Sequence, residues 1–507
     1  MTFIDELKNA TNFSVTENGA TGYKTTYNEL LDFNFKVPSF RVANENYLRT
    51  EVRSLINSIS DKVLLYRYIF YLRDVRGGMG ERRIFRMFIQ ELADSDFENI
   101  NALIPLIAEY GRYDDLFVLR GTKCERAMFD YIRGIFNEDY VRMSKGKSIT
   151  LLAKWMPSEN ASSLDTKMLA KEFINYLDIS PKTYRKMLSA MRKYSNVVET
   201  YISRNMYDLI DYQGVPSKAN LKYARLFLDR DYKRRKDFLD SLSRGGVKVN
   251  SSVSYPSDVI AYLRSELGNH FGAYYGTCDV DIDTKNFLDG MWKGLRDFGN
   301  IENVLVVADV SGSMIGSPTN VSPIDVSIGL GMYFAQRNKA PFDRKVVTFA
   351  HNPQYIELKD CSVVDNYVKM IKMNWDGDTN IEAVFNMVLR SAVKAKCKQE
   401  EIPTILVVSD MEFNYCGEKA YQHAFDKISD EYRAFGYELP KLVFWNVSSR
   451  TNTIPVTEGK NGVVLVSGYS PSSIRAVMSG ELDPYKALLK CFYTDRYDMV
   501  EKALKLS

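Results

Sequence analysis

Three histidines and six cysteines are all the imidazole and thiol ligands that 507 residues offer, and no two of the cysteines, at positions 124, 278, 361, 397, 416 and 491, are spaced as CxxC. A zinc site and a disulfide framework are both disfavoured, and a reducing compartment, the cytoplasm, is expected. No apolar run approaches the roughly 20 residues that span a bilayer. The opening MTFIDELKNATNF lacks a basic segment followed by an apolar one, so neither a membrane partner nor a secretory leader is expected. Also missing are GxxxxGK(S/T), GxSxG and HExxH, and no Cys–His pairing can be read. The usual nucleophiles lack their supporting groups, and the reading is of a protein that is not an enzyme. Asp309, closing an apolar run, invites a phosphoryl-transfer role, but Ser311 stands where that chemistry wants a second acid.

Net charge is small, +3 from 67 Lys and Arg against 64 Asp and Glu, yet its distribution is uneven. Residues from 301 onward carry 23 basic against 25 acidic side chains, whereas the stretch 182–236 carries 14 against five. A polyanion is expected to land on that stretch. What is present in bulk, 45% hydrophobic and 26% charged residues, is the composition of a folded protein. The length exceeds what one core holds, so two or three domains are expected.

Two textures meet near residue 300. Before it, apolar residues recur every three or four positions in long runs such as KVLLYRYIFYL (62–72), RIFRMFIQEL (83–92) and KTYRKMLSAMRKYSNVVETYI (182–202), the pattern of amphipathic helices. After it come short solid runs: VLVVADV (304–310), KVVTFA (345–350), TILVVSD (404–410), KLVFWNV (441–447) and VVLVSG (463–468). Helical stretches such as 322–338 and 380–396 alternate with them, which predicts buried parallel strands in a doubly wound sheet. The expected division is a helical module over 1–300, an α/β domain over 301–480 and a helical tail over 481–507.

Polar residues fall where such sheets bind ligands, at the carboxyl ends of the strands. Asp309, Ser311 and Ser313 follow one apolar run, Asp410 closes another, and Thr379, within Gly-Asp-Thr-Asn, precedes the helix leading into it. A carboxylate with hydroxyls suits a hard cation such as Mg2+ or Mn2+, which keeps waters and leaves a position open for a partner's carboxylate or phosphate. The plainer alternative is that these hydroxyls only cap helices that follow strands. In order and spacing, DVSGSM, GDTN and SDME resemble the metal-ion-dependent adhesion site of von Willebrand A domains. The resemblance implies a Rossmann-like A domain with Asp309, Ser311, Ser313, Thr379 and Asp410 as the five ligands.

The helical half resembles the TROVE module of Ro-type ribonucleoproteins, and more narrowly a poorly characterised TROVE-like group with the same two-domain order. The segments that carry the resemblance are YLRDVRGGMGERRIFR (71–86), YGRYDDL (110–116), LLAKWMPSE (151–159), YRKMLSAMRKYSNVVE (184–199) and VPSKANLKY (215–223), with LVFWNV and VSGYSPSSI (466–474) further on. It implies a ring of HEAT-like helix pairs closed by the A domain, with a basic surface for structured small RNA and a hole for single-stranded RNA ends. The local basic excess agrees: Lys154, Arg185, Lys186, Arg192, Lys193, Lys218, Lys222 and Arg225 are candidate phosphate contacts. Tyr184, Tyr194 and Tyr223 are either base-stacking platforms or core, with core the expectation for each taken singly. The loop GGMGER, with Arg73, Arg76, Arg82 and Arg83, reads either as an RNA-phosphate contact or as a tight interhelical turn with Arg–carboxylate pairs to Asp74 and Glu81. In YGRYDDL, Arg112 beside Asp114 and Asp115 reads as an internal salt-bridge corner.

Overall fold

The computed structural model describes residues 11–251, 253–267, 280–299, 301–315, 320–349, 352–360, 362–372, 380–413, 421–455, 462–481 and 483–505. They form two compact units: Met1–Tyr47 with Pro216–Lys222 and Lys236–Tyr493, and Leu48–Val215 with Tyr223–Arg235 and Thr494–Ser507. Both termini therefore cross the boundary that texture alone drew at residue 300. The first 47 residues belong with the sheet, and the expected tail is split, Pro484–Phe492 going with the sheet and the residues from Thr494 with the helical unit. Among the described residues no helix is long and apolar enough to cross a membrane.

The sheet unit is α/β and doubly wound. It opens with an antiparallel pair, β1 (Phe13–Val15) and β2 (Thr21–Tyr23). The main sheet comprises β3 (Val304–Asp309), β4 (Lys345–Phe349), β5 (Tyr355–Glu357), β6 (Thr404–Ser409), β7 (Leu442–Asn446) and β8 (Val463–Ser467) in the order β5-β4-β3-β6-β7-β8. All neighbours are parallel except the edge pair β4–β5. Every residue of β3, β7 and β8 is buried, as both-face coverage by helices requires. The chain leaves β3 toward β4 and returns to β6 on the other side, so the topological switch point lies between β3 and β6.

The helix Pro323–Ala335 is buried at all of its positions, because it lies under β3 on one side and the helix Pro256–Glu266 on the other. That approach is close: a Cβ at Gly329 would lie 2.9 Å from the Ser257 backbone nitrogen. Arg264 clamps the two helices through both nitrogens to Asp325, at 2.9 Å each. On the far edge, Asn446 Nδ2 donates to the Phe35 carbonyl at 2.7 Å, and Ser467 Oγ donates to that of Asn34, fastening the helix Glu29–Lys36 beside β8.

The helical unit is built of helices that pack chiefly on neighbours in sequence, Lys62–Arg73 on Arg82–Ser95, that on Phe97–Tyr110, and that on Glu125–Ser144. Such near-neighbour packing is the pattern of stacked helical repeats. The last helix, Asp498–Lys505, closes on the first of these, where Arg67 Nη2 reaches Asp498 at 2.8 Å and Glu501 at 2.7 Å. GGMGER forms a tight interhelical turn: Gly78 has no room for a Cβ, which would fall 2.0 Å from the Tyr71 carbonyl oxygen. Its buried Asp74 is paired from a distance in sequence, by Arg496.

Arg73 is a correction. It is buried at 4% exposure, with Nε 2.8 Å and Nη2 2.7 Å from Asp115, and presents no charge to RNA. Asp115, fully buried, also accepts from Arg86 at 2.6 Å and Arg82 at 3.2 Å. Burial opposes ionisation there, but Arg73 and Arg86 hold the Asp115 carboxyl below its ordinary value. Arg112 lies 3.2 Å from Asp114, so YGRYDDL is the salt-bridge corner the sequence suggested. Removing the central charge strands several guanidinium groups. Asp115→Asn should therefore lower unfolding free energy by about 3–5 kcal/mol in urea denaturation; a loss below about 1 kcal/mol would show the cluster to be ornamental.

Candidate functional site

The register of the central strands sets the site. Val304 to Ala308 pair in parallel with Thr404 to Val408, which brings the carboxyl ends of β3 and β6 side by side at the switch point. Asp309 ends β3 fully buried, with Oδ1 accepting from the Ser311 backbone at 2.9 Å and Oδ2 accepting from Ser409 Oγ at 2.5 Å. Just past β3, the hydroxyls of Ser311 and Ser313 lie 3.0 Å apart. Asp410 follows β6 at 1% exposure, and its Oδ1 accepts from the Glu412 backbone at 3.2 Å. Met411 turns the chain there in the left-handed region, φ 63°, a conformation that non-glycine residues adopt only under constraint.

Two buried carboxylates facing one another dominate the electrostatics. Burial raises the Asp309 carboxyl, against the hydrogen bonds from Ser311 and Ser409. Burial first, and then the Asp309 charge, push the Asp410 carboxyl up to about 7. One oxygen of the set, Asp410 Oδ2, is buried and accepts no hydrogen bond among the described residues. Among the described residues no cluster of three His, Cys, Asp or Glu side chains is placed to hold a metal, and those described here contribute two carboxylates and hydroxyls. That donor set, all oxygen and carrying an unsatisfied acceptor, fits a hard divalent cation. Of the five expected ligands, Asp309, Ser311, Ser313 and Asp410 come together; Thr379 lies outside the described residues.

The sequence reading missed the frame around this set. Glu412, fully buried, accepts from the backbones of Glu17 at 2.8 Å, Arg450 at 2.7 Å and Thr451 at 2.9 Å, and from the Thr451 hydroxyl at 3.1 Å. It thereby ties the β1–β2 turn and the loop after β7 to the end of β6. Thr16 Oγ1 and Asn18 Nδ2 add bonds to the Phe413 and Glu412 carbonyls, at 2.7 and 2.6 Å. The SDME string contained Glu412, but nothing in sequence linked it to residues some 395 positions away.

Residues 303–499 match the model of a domain of unknown function, DUF7788. Residues 126–297 match a second domain of unknown function, DUF2828. Neither description names a von Willebrand A or a TROVE domain. Uncharacterized protein L728 of Acanthamoeba polyphaga mimivirus is 28% identical over 521 residues, covering 94% of this chain and 87% of the relative. The crystal structure of the Deinococcus radiodurans RO (RSR) protein superposes with a TM-score of 0.44 at 13% identity, over 89% of this chain and 94% of that one. At that score the likeness decides nothing about fold or function.

The candidate phosphate contacts scatter. Arg192 is half-buried, and its guanidinium donates to the Ala153 carbonyl at 2.8 Å, the Met156 carbonyl at 2.7 Å and Ser158 Oγ at 2.9 Å, so it buttresses a loop. Arg185 pairs with Glu159 at 2.5 Å, Arg82 with Asp114 at 2.5 Å, and Lys154 lies 3.7 Å from Glu199. Arg76, Arg83 and Arg225 are exposed. Lys218 and Lys222 belong to the sheet unit, where Lys218 lies 3.3 Å from Asp258. What stays open is one face of the helix Pro181–Tyr194: Lys182, Lys186 and Lys193 are exposed and unpaired among the described residues. Tyr184 is core, its hydroxyl on the Pro157 carbonyl at 2.7 Å, while Tyr194 is 39% exposed and Tyr223 half-buried.

The raised Asp410 value fixes a sign. A carboxyl that binds its proton more tightly folded than unfolded lends stability that is complete below the unfolded value and is lost as pH rises through about 7. In chelator, Asp410→Asn should raise the melting temperature clearly more at pH 8 than at pH 5, where only part of the loss has set in, read by differential scanning fluorimetry. An equal shift at both pH values would contradict a carboxyl strained by its neighbour.

Proposed function

We propose that the chain is an RNA-binding protein of Ro type, not an enzyme, acting in the cytoplasm, whose α/β unit holds Mg2+ or Mn2+ as a docking ion. The observation that carries the docking half is the buried Asp410 Oδ2, without a hydrogen bond among the described residues, on a carboxyl that feels the charge of Asp309. When bound, the cation supplies a positive centre with an open coordination position for a carboxylate or phosphate oxygen of a partner. The protein's own residues do the rest. Asp309 and Asp410 bring the negative charge, Ser311 and Ser313 bring hydroxyl oxygens, Thr379 is assigned as the fifth ligand, and Ser409 orients Asp309 by donating to Oδ2.

The RNA half is supported by the resemblance of the helical segments to TROVE modules and by the lysine face at 182, 186 and 193. Structured small RNA and single-stranded RNA ends are the ligand classes proposed. A second reading, a cation-dependent protein scaffold without RNA, is favoured by a specific observation: Arg73, Arg82, Arg185 and Arg192 are all engaged in internal contacts.

Filter binding of the full chain to structured and single-stranded RNA, at two salt concentrations, separates the readings. Lys182→Glu, Lys186→Glu and Lys193→Glu together should weaken RNA binding about tenfold or more and flatten its salt dependence, since each lost phosphate contact removes roughly one counterion from the slope. Asp309→Ala should leave RNA affinity unchanged. Affinity that ignores both salt and the triple charge reversal would favour the scaffold.

A further inference from the structure

The Asp410 Oδ2 atom that accepts no hydrogen bond has a cationic side chain near it. Arg450 Nη2 lies 3.6 Å away, too far for a hydrogen bond and close enough for charge pairing. The same nitrogen lies 2.7 Å from a carboxylate oxygen of Glu17, in the turn between β1 and β2. One guanidinium is thus shared between a buried acid of the sheet and an exposed acid of the amino-terminal hairpin. The Arg450 and Glu17 side chains are 47% and 54% exposed, whereas that of Asp410 is 2% exposed. Arginine has solvent to swing into; the aspartate has nowhere to go.

We propose that Arg450 is the exchangeable counter-charge of the cation site, shared between Asp410 and Glu17 when no divalent ion is bound and left to Glu17 alone when one binds. This rests on the cation reading above and adds to it two residues that are not ligands. A divalent ion taking Oδ2 repels a guanidinium a few ångströms away, and Glu17 is already within hydrogen-bonding distance to receive it. The backbone does not have to move, because Glu412 holds the amide nitrogens of Glu17 and Arg450 by hydrogen bonds of 2.8 and 2.7 Å. Only side-chain torsions change. Cation affinity therefore depends on the two residues in opposite senses: Arg450 competes with the ion, and Glu17 relieves the competition.

The test is titration of the full chain with Mn2+, following free Mn2+ by electron paramagnetic resonance. Arg450→Gln should bind Mn2+ about two- to fivefold more tightly, the scale of one partly exposed charge pair, and Arg450→Lys should stay near wild type. Glu17→Gln should weaken binding by a similar factor, and should lose most of that effect in the Arg450→Gln background. Both side chains are half exposed, and the backbone bonds to Glu412 survive these changes, so the variants keep the fold. Wild type that binds Mn2+ while Arg450→Gln binds it no better overturns the exchange alone. A Glu17 effect equal in both backgrounds also overturns it. Absence of binding in wild type and Arg450→Gln alike overturns the cation reading and the exchange with it.

Discussion

Two carboxylates buried at the ends of adjacent parallel strands are the constraint on which the sheet unit turns. Asp309 and Asp410 are placed together by the β3–β6 register, and like charges in a dry site are costly unless something intervenes. The surroundings answer that cost piecemeal. Ser311 and Ser409 satisfy Asp309, Ser313 lies against Asp410, and Arg450 stands off the one oxygen left over. A divalent cation would answer it at a stroke, which is why the open acceptor is more telling than the motif string that first drew notice.

A similar logic of charge operates in the helical unit, with the signs reversed. There one buried acid, Asp115, gathers Arg73, Arg82 and Arg86, and a second, Asp74, is met by Arg496 from the end of the chain. In the helical unit these ion pairs fix turns and hold the last helix, while in the sheet unit the Asp410 oxygen that accepts no hydrogen bond among the described residues lies beside a second buried carboxylate.

Much of this was legible in the residues. Solid valine and leucine runs marked β3, β4, β6, β7 and β8, because strands covered on both faces leave no polar alternation, and the three- and four-residue period marked the helices. The loop residues of the candidate site were legible because DVSGSM and SDME sit directly on those runs. What was not legible depends on contacts across hundreds of residues. The hairpin at 13–23 joins the sheet unit through Glu412, and no local period announces that. Arg73 beside the GGMGER loop and Arg192 in the basic stretch both read as candidate phosphate contacts, but side-chain direction on a helix, not composition, decides whether a guanidinium meets solvent, a carboxylate or a carbonyl. The edge strand β5 was missed because three residues with one buried position carry almost no pattern.

Anomalous scattering from crystals of the full chain grown with Mn2+ tests the central claim most directly. The account predicts a single strong peak between the Asp309 and Asp410 side chains, in contact with the oxygens of Ser311 and Ser313. No peak there, with Arg450 still the nearest cation to Asp410, would contradict it.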